Sequence, residues 1–309
     1  MTQLHATAPS GTRRAAVIGL GSMGLGMAQS LLRGGFAVAG FDVSQAATER
    51  LAQSGGSIAG SPAEAATDAE AVVAAVVNAA QTESVLFGAQ GSAAAMPEGA
   101  VFISSATMAP EMARSLAARL EATGRHYLDA PMSGGAARAA DGTLTMLASG
   151  SPDAFERARP ALDAMTGTLY ELGAEAGHGA AFKMVNQLLA GVHIAAACEA
   201  VAFAARQGLD LARVYEVITK SAGNSWMFEN RIPHVLEGDY TPKSAVEIFT
   251  KDLGIVVDMA RAAQFPVPIA GAALQMYLMT AAAGMGRDDD ASVARLYAMI
   301  AGLSLPSAD

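Results

Sequence analysis

The segment Ala15-Ala-Val-Ile-Gly-Leu-Gly-Ser-Met-Gly24 joins an apolar run to three closely spaced glycines. The apolar run over residues 15–20 is typical of a buried strand, and the pattern over 25–33 predicts a helix behind the glycines. Arg13 and Arg14 in front of the run resemble part of an export signal, but the residues that follow them favour a strand. A strand, a glycine-rich turn and a helix in this order predict the first unit of a parallel α/β sheet.

The spacing of the glycines also predicts a ligand. Gly19 permits a tight turn, Gly21 lets the backbone approach a pyrophosphate, and Gly24 allows close packing of helix on strand. A second apolar run over 37–41 ends in Asp42, about 20 residues beyond the turn, where a carboxylate holds a ribose 2′-hydroxyl. Because that carboxylate repels a 2′-phosphate and no arginine follows it closely, the sequence favours NAD over NADP. The expected cofactor-binding residues here are Gly19, Leu20, Gly21, Ser22, Met23, Gly24 and Asp42.

Strands and helices continue to alternate through the first half. Ser61-Pro-Ala-Glu64 has the residues of a capped helix start. Residues 71–77 and 101–104 are continuous apolar runs of the buried-strand type, and polar residues follow each of them. Ligands of open α/β sheets bind outside the carboxyl ends of the strands. Asn78, Gln81 and Thr107 are therefore expected near the cofactor, although ordinary turn chemistry explains each of them equally well.

The stretch Tyr127-Leu-Asp-Ala-Pro-Met-Ser-Gly-Gly135 predicts a strand that runs into a Ser-Gly-Gly turn. Backbone N–H groups exposed by paired glycines, together with the Ser133 hydroxyl, can hold a carboxylate; the alternative is an ordinary tight turn. Residues 142–148 and 169–172 predict two more strands around a helix that starts at Ser151-Pro-Asp153. The first half is thus predicted to be a Rossmann-type, doubly wound, mostly parallel sheet.

The chain changes character at Gly177-His-Gly-Ala-Ala-Phe-Lys-Met-Val-Asn-Gln-Leu-Leu189, because almost only helical patterns follow. We expect a nucleotide-binding domain over 13–176 and an all-α domain over 177–309, with a long connecting helix over 179–206. Breaks between the later helices are expected at Gly223, Pro233, Gly238 and Pro266.

Lys183 and Asn186 lie three residues apart within that apolar helix and so share one face. A buried lysine without a partner is costly, so Lys183 either serves a site at the domain junction or lies at the surface with its stem along the helix. Junctions between domains are common places for small-ligand sites. Acting as a base near neutral pH would require a pKa well below the lysine reference of about 10.4.

Bulk composition excludes several classes of protein. The 309 residues carry a formal net charge of -9, and no basic run offers a general grip on nucleic acid. A single cysteine excludes an internal disulfide and suits a reducing compartment. Residues 1–11 lack the apolar core of a signal peptide, and His193 and Glu199 interrupt the longest apolar stretch. We expect a cytoplasmic protein without a membrane span.

Metal binding is not expected. His178 and His193 have no second histidine or carboxylate at metal-ligand spacing. Asp288-Asp-Asp290 is better explained as the start of the last helix, where negative charge is favourable. Cys198 lies on an apolar face and predicts packing, whereas Trp226 follows a helix break and suits a cleft, a subunit contact or the core equally.

Taken together, the sequence resembles the β-hydroxyacid dehydrogenase family. The resemblance covers essentially the whole chain beyond residue 13 and rests on four motifs in order, namely Gly19-Leu-Gly-Ser-Met-Gly24, Asp129-Ala-Pro-Met-Ser-Gly-Gly135, Gly179 with Lys183 and Asn186, and Lys251-Asp-Leu-Gly254.

The resemblance implies a role for each matching residue. Lys183 would be the catalytic lysine, and Asn186 would bind substrate beside it. Ser133, Gly134 and Gly135 would hold the substrate carboxylate. The residues expected to line the cofactor are Val77, Asn78, Gln81, Thr107 and Lys251.

Two residues depart from the commonest family pattern: Met132 stands where valine is usual, and Gln187 stands where many relatives have a second asparagine. The role of the Gln187 amide is therefore open. Residues 188–196, 222–231 and 237–242 most resemble the subgroup that oxidises the four-carbon sugar acid L-threonate at C2 to the 2-oxo acid.

Alternatives within the same chemistry are oxidation of 3-hydroxyisobutyrate and reduction of tartronate semialdehyde. Related imine reductases usually carry another residue at the lysine position, so Lys183 argues against them. A non-catalytic nucleotide-binding protein would need neither Lys183, Asn186 nor Ser133. The apolar helices after Gly208 exceed what one small bundle buries, which predicts a homodimer or homotetramer through the C-terminal domain.

Overall fold

The computed structural model describes residues 12–307, so the expectation about a signal peptide over residues 1–11 lies outside the described part of the chain. The chain divides into two compact units between Lys183 and Met184. This division falls inside the long connecting helix. The two domains expected from the sequence, 13–176 and 177–309, are a different division and stay a prediction.

The first unit contains a six-stranded parallel sheet. Its strands are β1 (Arg14–Ile18), β2 (Ala37–Phe41), β3 (Ser57–Ile58), β4 (Ala71–Ala74), β5 (Val101–Ser104) and β6 (His126–Asp129). The spatial order is β3-β2-β1-β4-β5-β6, which confirms the predicted Rossmann-type fold. Strand β4 is apolar throughout, and β1 and β5 are apolar except for the exposed Arg14 and the buried Ser104, because helices cover both faces of the sheet. Strand β4 ends earlier than the apolar run 71–77 predicted.

A second, three-stranded sheet follows in the same unit. It consists of β7 (Met132–Ser133), β8 (Leu144–Ala148) and β9 (Thr166–Glu171). Strand β7 is antiparallel to β8, and β8 is parallel to β9. The two strands predicted around residues 142–148 and 169–172 are thus confirmed with shifted ends, in a sheet of their own.

Seven helices accompany these strands within the described residues. They are α1 (Ser22–Arg33), α2 (Gln45–Gln53), α3 (Pro62–Ala66), α4 (Ala79–Phe87), α5 (Pro110–Glu121), α6 (Gly135–Asp141) and α7 (Pro152–Met165). The predicted caps are confirmed: the Ser61 hydroxyl accepts from the Glu64 amide at 3.1 Å, and the Ser151 hydroxyl accepts from the Ala154 amide at 3.2 Å.

The remaining part is helical, as predicted. Its helices are α8 (His178–Arg206), within which the two units divide, and α9 (Leu211–Ile218), α10 (Trp226–Glu237), α11 (Val246–Ala262), α12 (Pro268–Thr280) and α13 (Val293–Ala301). In the second unit Gly191 of α8 packs against α11, since a Cβ there would lie 2.9 Å from both Leu253 and Phe249 side chains. The Tyr277 hydroxyl of α12 donates to the Gly191 carbonyl at 3.0 Å, which adds a third helix to this core.

The predicted break at Pro233 was wrong, because Pro233 lies inside α10. Proline removes the N–H that would bond to the carbonyl four residues earlier. Here that carbonyl, of Glu229, accepts instead from the Tyr215 hydroxyl at 3.1 Å. The freed acceptor therefore has a new donor, and the helix continues through Pro233, as α7 continues through Pro160. The other breaks are confirmed at Gly223, Gly238 and Pro266.

The acidic run does precede the last helix, but Asp289 and Asp290 are fully buried, which the sequence did not indicate. Asp290 pairs with Arg231 at 2.6 Å. Asp289 accepts hydrogen bonds from the backbone amides of Lys243 at 2.9 Å and Ala291 at 3.1 Å. The bond between Lys243 and Asp289 therefore joins the segment before α11 to the segment before α13.

Helix α8 is the one helix within residues 12–307 that is long and apolar enough to cross a membrane, so the expectation that His193 and Glu199 exclude this by composition was wrong. Half of its most apolar stretch is buried inside the protein. Cys198 on this helix is fully buried, which confirms its packing role. Trp226, by contrast, is 63% exposed and does not belong to the core.

Candidate active site

The glycine turn after β1 has the geometry that a dinucleotide pyrophosphate requires. Gly19 adopts a φ of 90°, and a Cβ on Gly24 would lie 1.8 Å from the Gly19 carbonyl oxygen. Gly21 is exposed, with open space where a side chain would stand. It begins α1 without any side-chain cap, so the first amides of the helix remain available to an anion. These residues therefore fit NAD.

Asp42, which is expected to bind the ribose, also forms hydrogen bonds that hold the glycine turn in place. Its Oδ2 accepts from the Leu20 amide at 2.6 Å, and its Oδ1 accepts from the Ser44 amide at 2.8 Å. Each carboxylate oxygen retains a further lone pair for a hydroxyl donor. The ribose contact stays a prediction, and the structure adds that Asp42 joins the glycine turn to the end of β2.

Asn78 and Gln81 form a capping arrangement at the start of α4. The Asn78 side chain accepts from the Gln81 amide at 2.9 Å, and the Gln81 side chain accepts from the Val77 amide at 2.8 Å. Turn chemistry, the alternative raised from the sequence, is therefore present here. Val77 is exposed and Thr107 is half-buried in the loop between β5 and α5. The cofactor roles of all four residues stay predictions.

The Ser-Gly-Gly turn runs from the last residue of β7 to the first residue of α6. Gly134 and Gly135 have φ values of 134° and 78°, which side chains rarely adopt, and both are exposed. Ser133 is half-buried at the end of β7. The turn thus has two exposed glycines beside a half-buried serine, and its role as a carboxylate site stays a prediction.

Two residues that the sequence reasoning missed join α1, which follows the nucleotide turn, to α6, which follows the Ser-Gly-Gly turn. The Ser30 hydroxyl of α1 donates to the Ala139 carbonyl of α6 at 2.8 Å. A Cβ on Gly26 would lie 2.6 Å from the Ala140 backbone nitrogen, so only glycine allows the two helices to approach this closely. The signal in the sequence was a fourth glycine, two residues after the fingerprint.

Lys183 is 8% exposed on the second turn of α8, which excludes the alternative of a surface lysine. The start of that helix is fastened to the sheet by a further residue that the sequence reasoning did not select. Asp129, at the end of β6, is fully buried, and its Oδ2 accepts from the amides of Gly177 at 2.9 Å and Ala180 at 2.8 Å. Burial raises the pKa of the Asp129 carboxyl to about 6, against the lowering effect of these amides.

In the second unit, a chain of polar side chains connects Asn186 with Lys251. The exposed Asn186 amide donates to Gln187 at 2.9 Å, and the buried Gln187 amide donates to the Asp252 carboxylate at 2.5 Å. The ammonium of Lys251 lies 2.6 Å from the same carboxylate. Gln187, whose role the sequence left open, thus bridges Asn186 and Asp252. The substrate role of Asn186 and the cofactor role of Lys251 stay predictions.

Among residues 12–307, no group of three or more histidine, cysteine or carboxylate side chains is placed to hold a metal ion. His178 is exposed, and His193 is half-buried on α8.

Family models cover most of the chain. Residues 14–173 match the model described as the NAD binding domain of 6-phosphogluconate dehydrogenase. Residues 177–297 match the one described as NAD-binding of NADP-dependent 3-hydroxyisobutyrate dehydrogenase.

Individual relatives match over nearly their full length. L-threonate dehydrogenase of Cupriavidus necator is 53% identical over 96% of this chain and 98% of the relative. L-threonate dehydrogenase of Escherichia coli K12 is 47% identical over 94% of this chain and 96% of the relative. A crystal structure described as 3-hydroxyisobutyrate dehydrogenase from Salmonella typhimurium aligns with a TM-score of 0.87 at 47% identity, over 92% of this chain and 99% of the other.

The glycine turn, the Ser-Gly-Gly turn and the buried lysine agree with these matches, and the predicted cofactor, NAD, is confirmed. The chain belongs to the β-hydroxyacid dehydrogenase family and is an NAD-dependent oxidoreductase that acts on a CH–OH group.

Proposed function

We propose that this chain oxidises L-threonate to 2-dehydro-L-erythronate with NAD as the electron acceptor. The observation that carries the proposal is the buried Lys183 on a helix whose start is fastened to the sheet that also bears the glycine turn. The substrate is inferred from relatives named L-threonate dehydrogenase at 53% and 47% identity.

Each residue has one task in this proposal. The amides of Gly134 and Gly135 and the Ser133 hydroxyl hold the substrate carboxylate, which places C2 and its hydroxyl near Lys183. NAD, when bound, supplies the acceptor for the hydride that leaves C2. Lys183 takes the proton from the hydroxyl as the C–O bond becomes a carbonyl. Asn186, less than one turn further along the helix, orients the lysine or the substrate.

Lys183 has two possible states in this reaction. A buried ammonium loses hydration, and this desolvation favours the neutral amine that accepts a proton. An ammonium that stays charged would instead donate a hydrogen bond to the developing alkoxide. A kcat that rises with pH to a plateau supports the base, whereas a kcat that is lost as the ammonium deprotonates supports the donor.

The test measures NADH production by the purified protein with C3–C5 sugar acids, including both threonate enantiomers, and with 3-hydroxyisobutyrate. NADH consumption with tartronate semialdehyde is measured beside it. We expect L-threonate to give the highest kcat/KM. A highest value for 3-hydroxyisobutyrate, the activity in the name of the Salmonella structure, would replace the proposed substrate. If the protein reduces tartronate semialdehyde with NADH faster than it oxidises L-threonate, its reaction is the reduction of an aldehyde acid.

We further propose a cytoplasmic homodimer or homotetramer that associates through the helical part. Helix α9 supports this, because it has an apolar face and yet none of its residues is buried. Light scattering should give at least twice the mass of 31.3 kDa for the chain, and a monomer would refute the association.

A further inference from the structure

The backbone amides at the start of α8 are capped by side chains that come from far earlier in the chain. Helix starts leave N–H groups without partners inside the helix. The Gly177 and Ala180 amides donate to Asp129 Oδ2 at 2.9 and 2.8 Å, and the Gly179 amide donates to the Ser149 hydroxyl at 2.9 Å. All of these groups are buried. The cap is thus built by the end of β6 and the segment after β8.

The packing at this point leaves no room for a side chain. A Cβ on Gly179 would lie 2.3 Å from the Leu147 carbonyl oxygen and 2.9 Å from the Asp129 carbonyl oxygen. Asp129 and Ser149 also exchange backbone hydrogen bonds of 3.0 and 2.8 Å, which join the two segments that carry the cap. The first turn of α8 therefore packs directly against the end of β6 and the end of β8, and backbone hydrogen bonds join the segments at these two ends.

The chain places two proposed functional elements close to Asp129. Lys183 lies three residues beyond Ala180, which Asp129 caps, and Ser133 lies four residues beyond Asp129 itself. A carboxylate accepts amide hydrogen bonds more strongly than a neutral oxygen does. Burial of that carboxylate costs free energy that a neutral cap would avoid. A need to hold the start of α8 in one position therefore explains the presence of Asp129 better than a gain in stability does.

We propose that Asp129 is a positioning residue, which holds the helix of Lys183 in one orientation relative to the Ser133–Gly135 turn. The inference rests on the proposed function, since it assumes that Lys183 takes part in the reaction. Asp129 acts through the helix and does not touch the substrate. Ser149 contributes in the same way through the Gly179 amide.

The test compares Asp129→Ala, Asp129→Asn and Ser149→Ala with wild type by kcat per NADH-binding site. This quantity counts only folded protein, so a residue that merely supports stability would leave it unchanged. Small misplacements of a reacting group are costly, so we expect Asp129→Ala to lower kcat per site by about tenfold or more. Asp129→Asn should recover part of this loss, because its carbonyl oxygen still accepts from the amides. Ser149→Ala should give a smaller loss, of about threefold.

A matched control is Tyr127→Phe. Burial and the nearby Asp129 charge raise the pKa of the Tyr127 hydroxyl, so this variant alters the surroundings of Asp129 and leaves the α8 amides capped. Its kcat per site should stay within about twofold of wild type. The affinity for NADH should be unchanged in every variant.

The outcomes separate the two proposals. Normal turnover of Lys183→Ala would refute the proposed function, whatever the Asp129 variants do. The positioning role alone would be overturned if Lys183→Ala is inactive while Asp129→Asn and Ser149→Ala both keep the wild-type kcat per site. If Asp129→Ala does not fold, these two milder variants decide the question.

Discussion

Gln187 donates a hydrogen bond of 2.5 Å to the buried carboxylate of Asp252 and so joins α8 to α11. The same carboxylate lies 2.6 Å from the Lys251 ammonium. Asp252 follows Lys251 in the Lys251-Asp-Leu-Gly254 motif, and this contact explains why an acidic residue is useful there. Gln187 reaches Asp252 and also accepts from Asn186, which gives it a definite structural role.

Removal of the Gln187 amide should destabilise the protein. In Gln187→Ala, Asp252 stays buried and loses a donor, so we expect the free energy of unfolding to fall by about 1–3 kcal/mol. Urea unfolding measures this change. The control is Gln275→Ala, an exposed glutamine on α12, which should change the free energy by less than about 0.5 kcal/mol. Equal effects of the two variants would contradict the role of Gln187.

Asp42 should set the cofactor preference. Asp42→Ala removes a carboxylate that repels a 2′-phosphate, so we expect the ratio of kcat/KM for NAD over NADP to fall by about tenfold or more. The control is Glu49→Ala on the following helix, which removes a nearby exposed charge and keeps the 2.6 Å bond to Leu20. An unchanged ratio in Asp42→Ala would mean that Asp42 only fastens the glycine turn.

Two buried carboxyl groups should make stability depend on pH. Burial raises the pKa of Asp129 from 3.8 to about 6 and that of Asp290 from 3.8 to about 7. His178 and the α8 amides oppose the shift at Asp129, and Arg231 opposes it at Asp290. A raised pKa means that the folded protein binds the proton more tightly than the unfolded chain does. Each group's contribution to the free energy of unfolding therefore falls as the pH rises, from 3.8 to about 6 for Asp129 and from 3.8 to about 7 for Asp290.

Urea unfolding of wild type and Asp129→Asn from about pH 4 to pH 8 isolates the Asp129 part, since asparagine does not titrate. We expect the stability of wild type relative to the variant to decrease up to about pH 6 and then to level off. A relative stability that increases with pH over this window would show that the amides of α8 outweigh burial.

The sequence predicted the fold well where local patterns decide structure. The glycine spacing from Gly19 to Gly24 requires one backbone arrangement, and apolar runs such as 71–77 suit a sheet that is covered on both faces. Pro233 shows the limit of this reasoning. The carbonyl that this proline frees accepts from the hydroxyl of Tyr215 on another helix, and no local pattern reveals such a donor.

The candidate site was less predictable for the same reason. Lys183 and Ser133 stand in recognisable motifs, but their supports depend on pairs that are distant in sequence. Asp129 caps amides up to 51 residues later, and Gln187 meets a carboxylate 65 residues later. Such partners are fixed by the packing of whole elements, so spacing along the chain does not indicate them.

The most direct test of the account is the turnover of Lys183→Ala with L-threonate and NAD. We predict that kcat falls by about 10²- to 10⁴-fold, because the reaction loses its proton acceptor, while the dissociation constant for NADH stays near the wild-type value. Lys220→Ala, which removes an exposed lysine, should keep wild-type kcat. A kcat for Lys183→Ala within about threefold of wild type would contradict the assignment of Lys183 as the catalytic lysine.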